Sequence, residues 1–222
     1  MTKIATRDAY GEALAQLGEE IKDIVVLDAD LSGSTKTSVF AKKFPERFFN
    51  VGIAEQNLMG TAAGFATCGK IPFASTFAVF ATGRAFEQVR NSICYPKLNV
   101  KIAATHAGLT VGEDGATHQS VEDLSLMRAL PNMTVISPAD AVETKKAVRA
   151  AAFHQGPVYI RLGRMAVETI FDEDYEFEIG KGKVLREGSD VAIIATGIMV
   201  AEALRAAEIL EKEGINAMVV NI

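Results

Sequence analysis

The chain has 222 residues, 49% of them hydrophobic, with a net charge of −5 and an isoelectric point near 5.3. That is enough apolar chain for one full domain and part of another, and the acidic balance argues against nucleic acid or anionic membrane as the main partner. Cys68 and Cys94 stand in no metal or redox spacing, which fits a reduced, cytoplasmic setting, and Met1-Thr2-Lys3-Ile4 opens no apolar run of signal-peptide or membrane-span length.

In chain order, helical and strand patterns alternate. Ala9, Ala13, Leu14, Leu17 and Ile21 mark one apolar helix face, with Thr6 as the expected N-cap. Ile24-Val25-Val26-Leu27 is a β-branched strand run leading into Asp28-Ala29-Asp30. A second strand, Phe48-Phe49-Asn50-Val51, ends at Gly52. A helix rich in small residues is predicted from Ala54 to about Cys68, with Gly69 as its C-terminal cap. Ile71 to Phe77 is the next strand, and a helix carrying Phe86, Val89 and Ile93 follows until Pro96 ends it. Val100 to Ala104, Val135-Ile136 and Val158-Tyr159-Ile160 read as three more buried strands, and Asp140 with Glu143 as a capping-box start for the helix between the last two. Strands separated by helices predict an α/β fold, a mostly parallel sheet with helices on both faces.

Near Ile170 the texture changes. Phe171-Asp172-Glu173-Asp174-Tyr175-Glu176 and Gly180-Lys181-Gly182-Lys183 predict a linker solvated by its charge. Beyond it, Val191 to Ala195 is a strand, Val200 to Leu210 a helix, and Ala217 to Val220 another strand. One helix between two strands cannot cover both faces of a parallel sheet. The expected division is therefore a domain over 1–168, a linker over 169–183 and an incomplete second α/β domain over 184–222.

Two stretches carry candidate chemistry. Glu55 falls in the first turn of a helix just past the end of a strand, where the helix N-terminus favours an anion and ligands of open α/β sheets gather. The same position also suits a merely favourable first-turn residue. Thr105-His106-Ala107-Gly108 and Val111-Gly112-Glu113-Asp114-Gly115-Ala116-Thr117-His118-Gln119 form a glycine-rich loop with two of the three histidines, the texture of a site loop. His106, Asp114 and His118 are spaced too widely for a metal centre, and His154 reads as a surface residue. Asp28-Ala29-Asp30 could open a haloacid-dehalogenase-type phosphatase, but no acidic pair for its magnesium follows a later strand.

Taken together, Val51-Gly52-Ile53-Ala54-Glu55-Gln56, Ser75-Thr76-Phe77 and Gly112-Glu113-Asp114-Gly115-Ala116-Thr117-His118-Gln119 resemble the pyrimidine-binding domain of transketolase. Residues 3 to about 168 would be that domain, and those from about 180 the start of the transketolase C-terminal domain. The layout resembles the C-terminal subunit of a split transketolase.

The resemblance implies thiamine diphosphate and Mg2+ as cofactors and assigns roles. Glu55 matches the glutamate that hydrogen-bonds N1′ of the aminopyrimidine and so activates thiazolium C2. Phe77 and Phe80 would wall that ring, and Asp30 matches a carboxylate near the cofactor. Asp114 and His118 would address the hydroxyls and carbonyl of the ketose donor. Ser34, His106 and Arg164 match positions that hold the sugar phosphate, for which the arginine fork is suited.

The family's metal-ligand signature, G-D-G…N, is missing here, so the metal is expected on an N-terminal partner subunit in an assembly with two copies of each. Gly60, Ala62, Ala63 and Gly64 would suit close self-association across this domain.

Several positions depart from the pattern. Ala107-Gly108 stand where full-length transketolases often have Asp-Ser, Ala116 replaces a usual Pro, and one extra residue separates Phe80 from Arg84. The donor and a third aromatic wall therefore stay unassigned. Deoxyxylulose-phosphate synthase and the β subunit of 2-oxoacid dehydrogenases share parts of the pattern. A non-catalytic scaffold of this fold is the reading from another functional class, and it need not keep Glu55, His106, Asp114 and His118.

Overall fold

A computed structural model describes residues 3–222 of the chain. Its strands are β1 (Lys3–Ala5), β2 (Ile24–Asp28), β3 (Phe48–Asn50), β4 (Ile71–Phe77), β5 (Lys101–Thr105), β6 (Thr134–Ile136), β7 (Val158–Arg161), β8 (Ala166–Glu168), β9 (Lys183–Arg186), β10 (Val191–Ala195) and β11 (Ala217–Asn221). Its helices are α1 (Thr6–Glu20), α2 (Ser32–Thr35), α3 (Ser38–Lys43), α4 (Glu55–Thr67), α5 (Phe86–Gln88), α6 (Asp123–Arg128), α7 (Ala141–Phe153) and α8 (Met199–Lys212).

The main sheet has six strands in the order β3-β2-β4-β5-β7-β6, every neighbouring pair parallel. Because both faces are covered, β2 and β5 are buried at every position. Their side chains still alternate between two cores. Val25 and Leu27 point toward Leu58 and Met59 of α4, while Ile24 and Val26 join Leu14 and Leu17 of α1 and Val148 of α7. From β2 the chain runs out to β3 and then returns across β2 to β4, so the strand order reverses there. All six carboxyl ends lie at one edge, which is where such sheets bind ligands.

Asp140 and Glu143 do more than start a helix. Asp140 Oδ1 accepts from the Glu143 amide at 2.8 Å, and Glu143 Oε2 reaches back to the Ala139 amide at 2.7 Å. Asp140 Oδ2 also takes the amides of Ile170 and Phe171 at 2.7 and 2.8 Å. Glu143 Oε1 accepts from the Tyr175 hydroxyl at 3.0 Å and from Asn221 Nδ2 at 2.8 Å. Burial raises the Glu143 carboxyl above the ordinary range, with these donors working against that shift. Two acidic side chains at one helix start thus bind the main sheet to the segment after β8 and to the last strand.

Several expectations are corrected. Thr6 is the first helical residue rather than the cap. Ala5 holds the N-cap position, and the Thr6 hydroxyl accepts from the Gly163 amide at 2.7 Å beside the β1–β8 ribbon, which the sequence pattern did not indicate. The helix expected through Phe86 and Ile93 is present, as α5 continued by a wider-wound helical stretch over Val89–Cys94, and a second such stretch over Phe80–Arg84 precedes it. The acidic segment is not simply solvated, since Phe171 is buried and stacks on Tyr175 at 3.9 Å. Phe177 and Ile179 pack on the core beside α1 and α7. The second sheet has a third strand, β9, antiparallel to β11, while β10 and β11 are parallel. Ala62 and Ala63 face their own core, so of the four small residues in α4 only Gly60 and Gly64 point outward.

Candidate active site

The site is assembled from the turns that leave β2, β3, β4, β5 and β7. After β3, Asn50 organises the chain reversal: its Oδ1 accepts from the amides of Gly52 (2.9 Å) and Asp30 (3.1 Å), and its Nδ2 donates to Asp30 Oδ1 (3.0 Å). Gly52 has φ +73, a conformation that costs glycine little, and it feeds the chain into α4. Glu55 is the first residue of that helix and is 1% exposed. Asp30, held at φ +64 by the Asn50 bonds, stands on the neighbouring turn. Asp28 beside it is a structural residue. Its carboxylate accepts from the Leu31 amide and the Thr35 and Thr37 hydroxyls at 2.5, 2.7 and 2.9 Å, which leaves it unfit as a phosphatase nucleophile.

Glu55 Oε2 accepts from Arg84 Nη1 at 2.8 Å. The Arg84 guanidinium lies 4.6 Å from the centre of the Phe80 ring. The wide turn that brings it there closes with the Ala85 amide on the Phe80 carbonyl at 3.1 Å, five residues apart, which accommodates the extra residue noted in this stretch. Phe80 and Phe77 are parallel at 5.9 Å between centroids. Phe77 is buried and stacks on His106 at 3.8 Å, while His118 meets both phenyl rings edge-on at 6.1 and 5.4 Å. The structure therefore brings Glu55, Phe77, Phe80, His106 and His118 into one cluster.

His106 follows β5 at φ +59, a conformation uncommon for histidine, and is 2% exposed. Arg7 Nη1 lies 3.1 Å from its Nε2, and since arginine can only donate, that nitrogen is the acceptor. Nδ1 then carries the proton toward the Thr105 hydroxyl 2.8 Å away. Burial, then the Arg7 charge, push its pKa down to about 4. Because the folded value lies below the unfolded one near 6.5, neutral His106 contributes fully above about pH 6.5 and its contribution fades as pH falls toward 4. Urea unfolding at pH 8 and pH 5 should show the wild type losing up to about 2 kcal/mol more than His106→Gln. Equal losses in the two proteins would contradict the neutral assignment.

Arg7 also donates to the Ser34 carbonyl at 3.1 Å, and its buried Nε has no partner among the described residues. Arg164, after β7, donates to the Val111 carbonyl at 2.8 Å, to Asp114 at 3.2 Å and to Glu113 at 3.0 Å, closing the glycine-rich loop over the strand ends. Beneath the loop, buried Asp123 accepts from the Tyr159 hydroxyl and from Arg161 Nε, both at 2.8 Å, and Arg161 fills the space that a Cβ on Gly108 would need.

Arg7 and Arg84 are the residues that sequence reasoning missed. A cation in the first turn of a helix opposes the helix dipole, which is the one local oddity at Arg7 and does not by itself point to a site. Arg84 sits in a turn whose period matches neither helix nor strand. His154, expected on the surface, is half-buried, with Nε2 at 3.2 Å from the Thr134 hydroxyl at the far end of the sheet. Among the described residues no group of three or more His, Cys, Asp or Glu side chains is arranged to hold a metal, and no helix is long and apolar enough to cross a membrane.

The family model described as the transketolase pyrimidine binding domain matches residues 2–169, and that of the transketolase C-terminal domain matches residues 180–222. The chain belongs to the transketolase family. A Methanocaldococcus jannaschii protein named for a transketolase C-terminal section is 60% identical over 97% of this chain and 69% of its own length. A 6-deoxy-6-sulfo-D-fructose transketolase subunit from a Clostridium species is 46% identical over 97% of this chain and 67% of its own. Human transketolase is 42% identical over 99% of this chain, which spans 35% of it. Among solved structures, a split-gene transketolase described as an inactive β4 tetramer superposes with TM-score 0.92 at 67% identity, over all of this chain and 72% of that one. Transketolase from Campylobacter jejuni gives 0.92 at 31% identity, over all of this chain and 35% of that one.

Family membership implies a transferase and thiamine diphosphate as its cofactor. The residues present fit part of that cofactor: a buried carboxylate at a helix start beside a half-buried phenyl ring suits an aminopyrimidine. They offer no cluster for the metal of a diphosphate among the described residues.

Proposed function

We propose that this chain is one subunit of a transketolase that moves a two-carbon ketol unit between sugar phosphates. It would work with a partner subunit that carries the diphosphate-binding domain and the Mg2+ ligands, in an assembly with two copies of each. Residues 1–168 would be its pyrimidine-binding domain, 169–183 a linker and 184–222 the second domain.

One observation carries the reading. A buried first-turn carboxylate, Glu55, stands at the same strand-end edge of the sheet as an aromatic wall, the Arg7–His106 pair and Arg164. The bound cofactor supplies the nucleophilic carbon and accepts the ketol fragment. Glu55 holds the proton shared with N1′, and Phe80 offers the ring a stacking face. Arg7, Arg164, His106 and Ser34 bind the terminal anion of the sugar, and Asp114 and His118 orient its hydroxyls and carbonyl. Neutral His106, with Nε2 accepting from Arg7, holds that guanidinium in place without setting another charge beside it.

The test is reconstitution. Mixed with the subunit carrying the diphosphate domain, thiamine diphosphate and Mg2+, the chain should catalyse ketol transfer, and without that subunit it should show none. The donor panel should include a sulfo-fructose beside the sugar phosphates, because the arginine corner would accept either anion. Micromolar cofactor binding by this chain alone would contradict the two-subunit reading.

A further inference from the structure

Arg84 is tied to the two groups that the proposed function gives to the aminopyrimidine. Its Nη1 donates to Glu55 Oε2 at 2.8 Å, and its planar guanidinium lies over Phe80 at 4.6 Å. Among the described residues Arg84 is the side chain that Glu55 binds. A flat, hydrogen-bond-donating cation stacked on an aromatic ring imitates an aminopyrimidine in shape, in donor character and in its use of a ring face. Glu55 is almost wholly enclosed, whereas Arg84 is 49% exposed on its side chain, so the arginine has somewhere to go and the carboxylate does not.

Resting on that function, we infer that Arg84 is a positioning residue. It holds the Glu55 carboxylate and the Phe80 ring in place as a stand-in for the cofactor ring, and it swings outward when that ring binds. The wide turn supports this role. It places Arg84 over Phe80 within the same segment, and the half-exposed side chain can swing outward by rotation about its own bonds without unwinding the helix. The energetics also fit a displaceable contact. Arg84 regains water when it leaves, and the incoming ring takes over the hydrogen bond to the enclosed Glu55, so the exchange leaves no buried charge without a partner.

Competition makes the inference testable on binding as well as on turnover. If Arg84 must leave before the ring enters, apparent affinity falls by the fraction of time it occupies the site. In the enzyme reconstituted with its partner subunit, thiamine diphosphate should bind Arg84→Ala about two- to fivefold more tightly than wild type, with the gain in the association rate. Arg84→Lys, which keeps the charge but loses the flat face, should fall between them. Thermal melts without cofactor check that Arg84→Ala is folded, with some fall in melting temperature because the enclosed Glu55 loses its partner. Weaker or unchanged binding by a folded Arg84→Ala would overturn the stand-in role. Glu55→Ala in the same titration separates the two ideas. If it leaves C2 proton exchange at the wild-type rate, the function assigned to Glu55 fails. If exchange collapses while Arg84→Ala binds like wild type, only the Arg84 inference fails.

Discussion

Glu55→Ala is expected to slow exchange of the thiazolium C2 proton by orders of magnitude in the reconstituted enzyme while leaving the fold intact. Glu55 is enclosed at the first turn of α4, and its tie within the chain is to the half-exposed Arg84. Removing the carboxylate therefore breaks one displaceable ion pair and leaves a small polar void, a modest loss of stability. The loss of function is far larger, because no other carboxylate can take its place. Asp30 is exposed and paired with Asn50, and Asp28 is consumed by three donors. General acid–base groups contribute typically 10²–10⁴-fold, and exchange followed by proton NMR reads that contribution without any sugar present. Glu55→Gln keeps the volume and a hydrogen bond but cannot share a proton, so it should resemble alanine in exchange and wild type in stability. Exchange at the wild-type rate in either variant would remove Glu55 from its role.

Much of this site could be read from the sequence because it is built on strand ends. An apolar run that breaks at Asp28-Ala29-Asp30 or at Gly52 announces both the strand and its exit, and the runs ending at Phe77 and Ala104 mark the strands that lead to Phe80 and His106. Parallel topology then brings them together without further information. The arginines were not legible in the same way. Arg7 lies in an amphipathic helix start that reads as solvated surface, and its partners Ser34 and His106 are 27 and 99 residues away. Arg84 depends on a turn that accommodates one extra residue, and periodicity arguments fail wherever the period itself changes.

Corrections elsewhere share a cause. Thr6 has the chemistry of an N-cap, but tertiary structure gave its hydroxyl to the Gly163 amide across the β1–β8 ribbon. The acidic stretch after Ile170 has the composition of a linker, yet Phe171, Tyr175, Phe177 and Ile179 each found apolar surface to cover. Composition records the average of a segment, whereas packing acts on the individual side chain. The Asp140–Glu143 pair shows the reverse case. Its local pattern was readable, but the tertiary bonds to Ile170, Phe171, Tyr175 and Asn221 were not.

Substrate selection should reside in the two arginines, and they can be separated by what else each one does. Arg164→Ala would remove the charge-assisted contact proposed to the sugar anion, at an expected cost of about 2–4 kcal/mol, or roughly 30- to 1000-fold in kcat/KM for phosphorylated ketoses. It also releases the loop, since Arg164 holds the Val111 carbonyl, Asp114 and Glu113. Some loss on every donor is therefore built into that variant. Arg7 touches the Ser34 carbonyl and His106 and has no side-chain bond to Val111, Glu113 or Asp114, so Arg7→Ala leaves the Arg164 tie to the loop in place. Its unpartnered buried Nε is a donor that a bound anion could satisfy, which places its function in the complex rather than in the resting fold. Steady-state kinetics with a pentulose phosphate and with hydroxypyruvate should show Arg7→Ala failing on the first and nearly normal on the second. Arg164→Ala should fail strongly on the first and mildly on the second. Equal losses on both donors in Arg7→Ala would mean that this corner supports the fold around His106, and that the phosphate is held elsewhere.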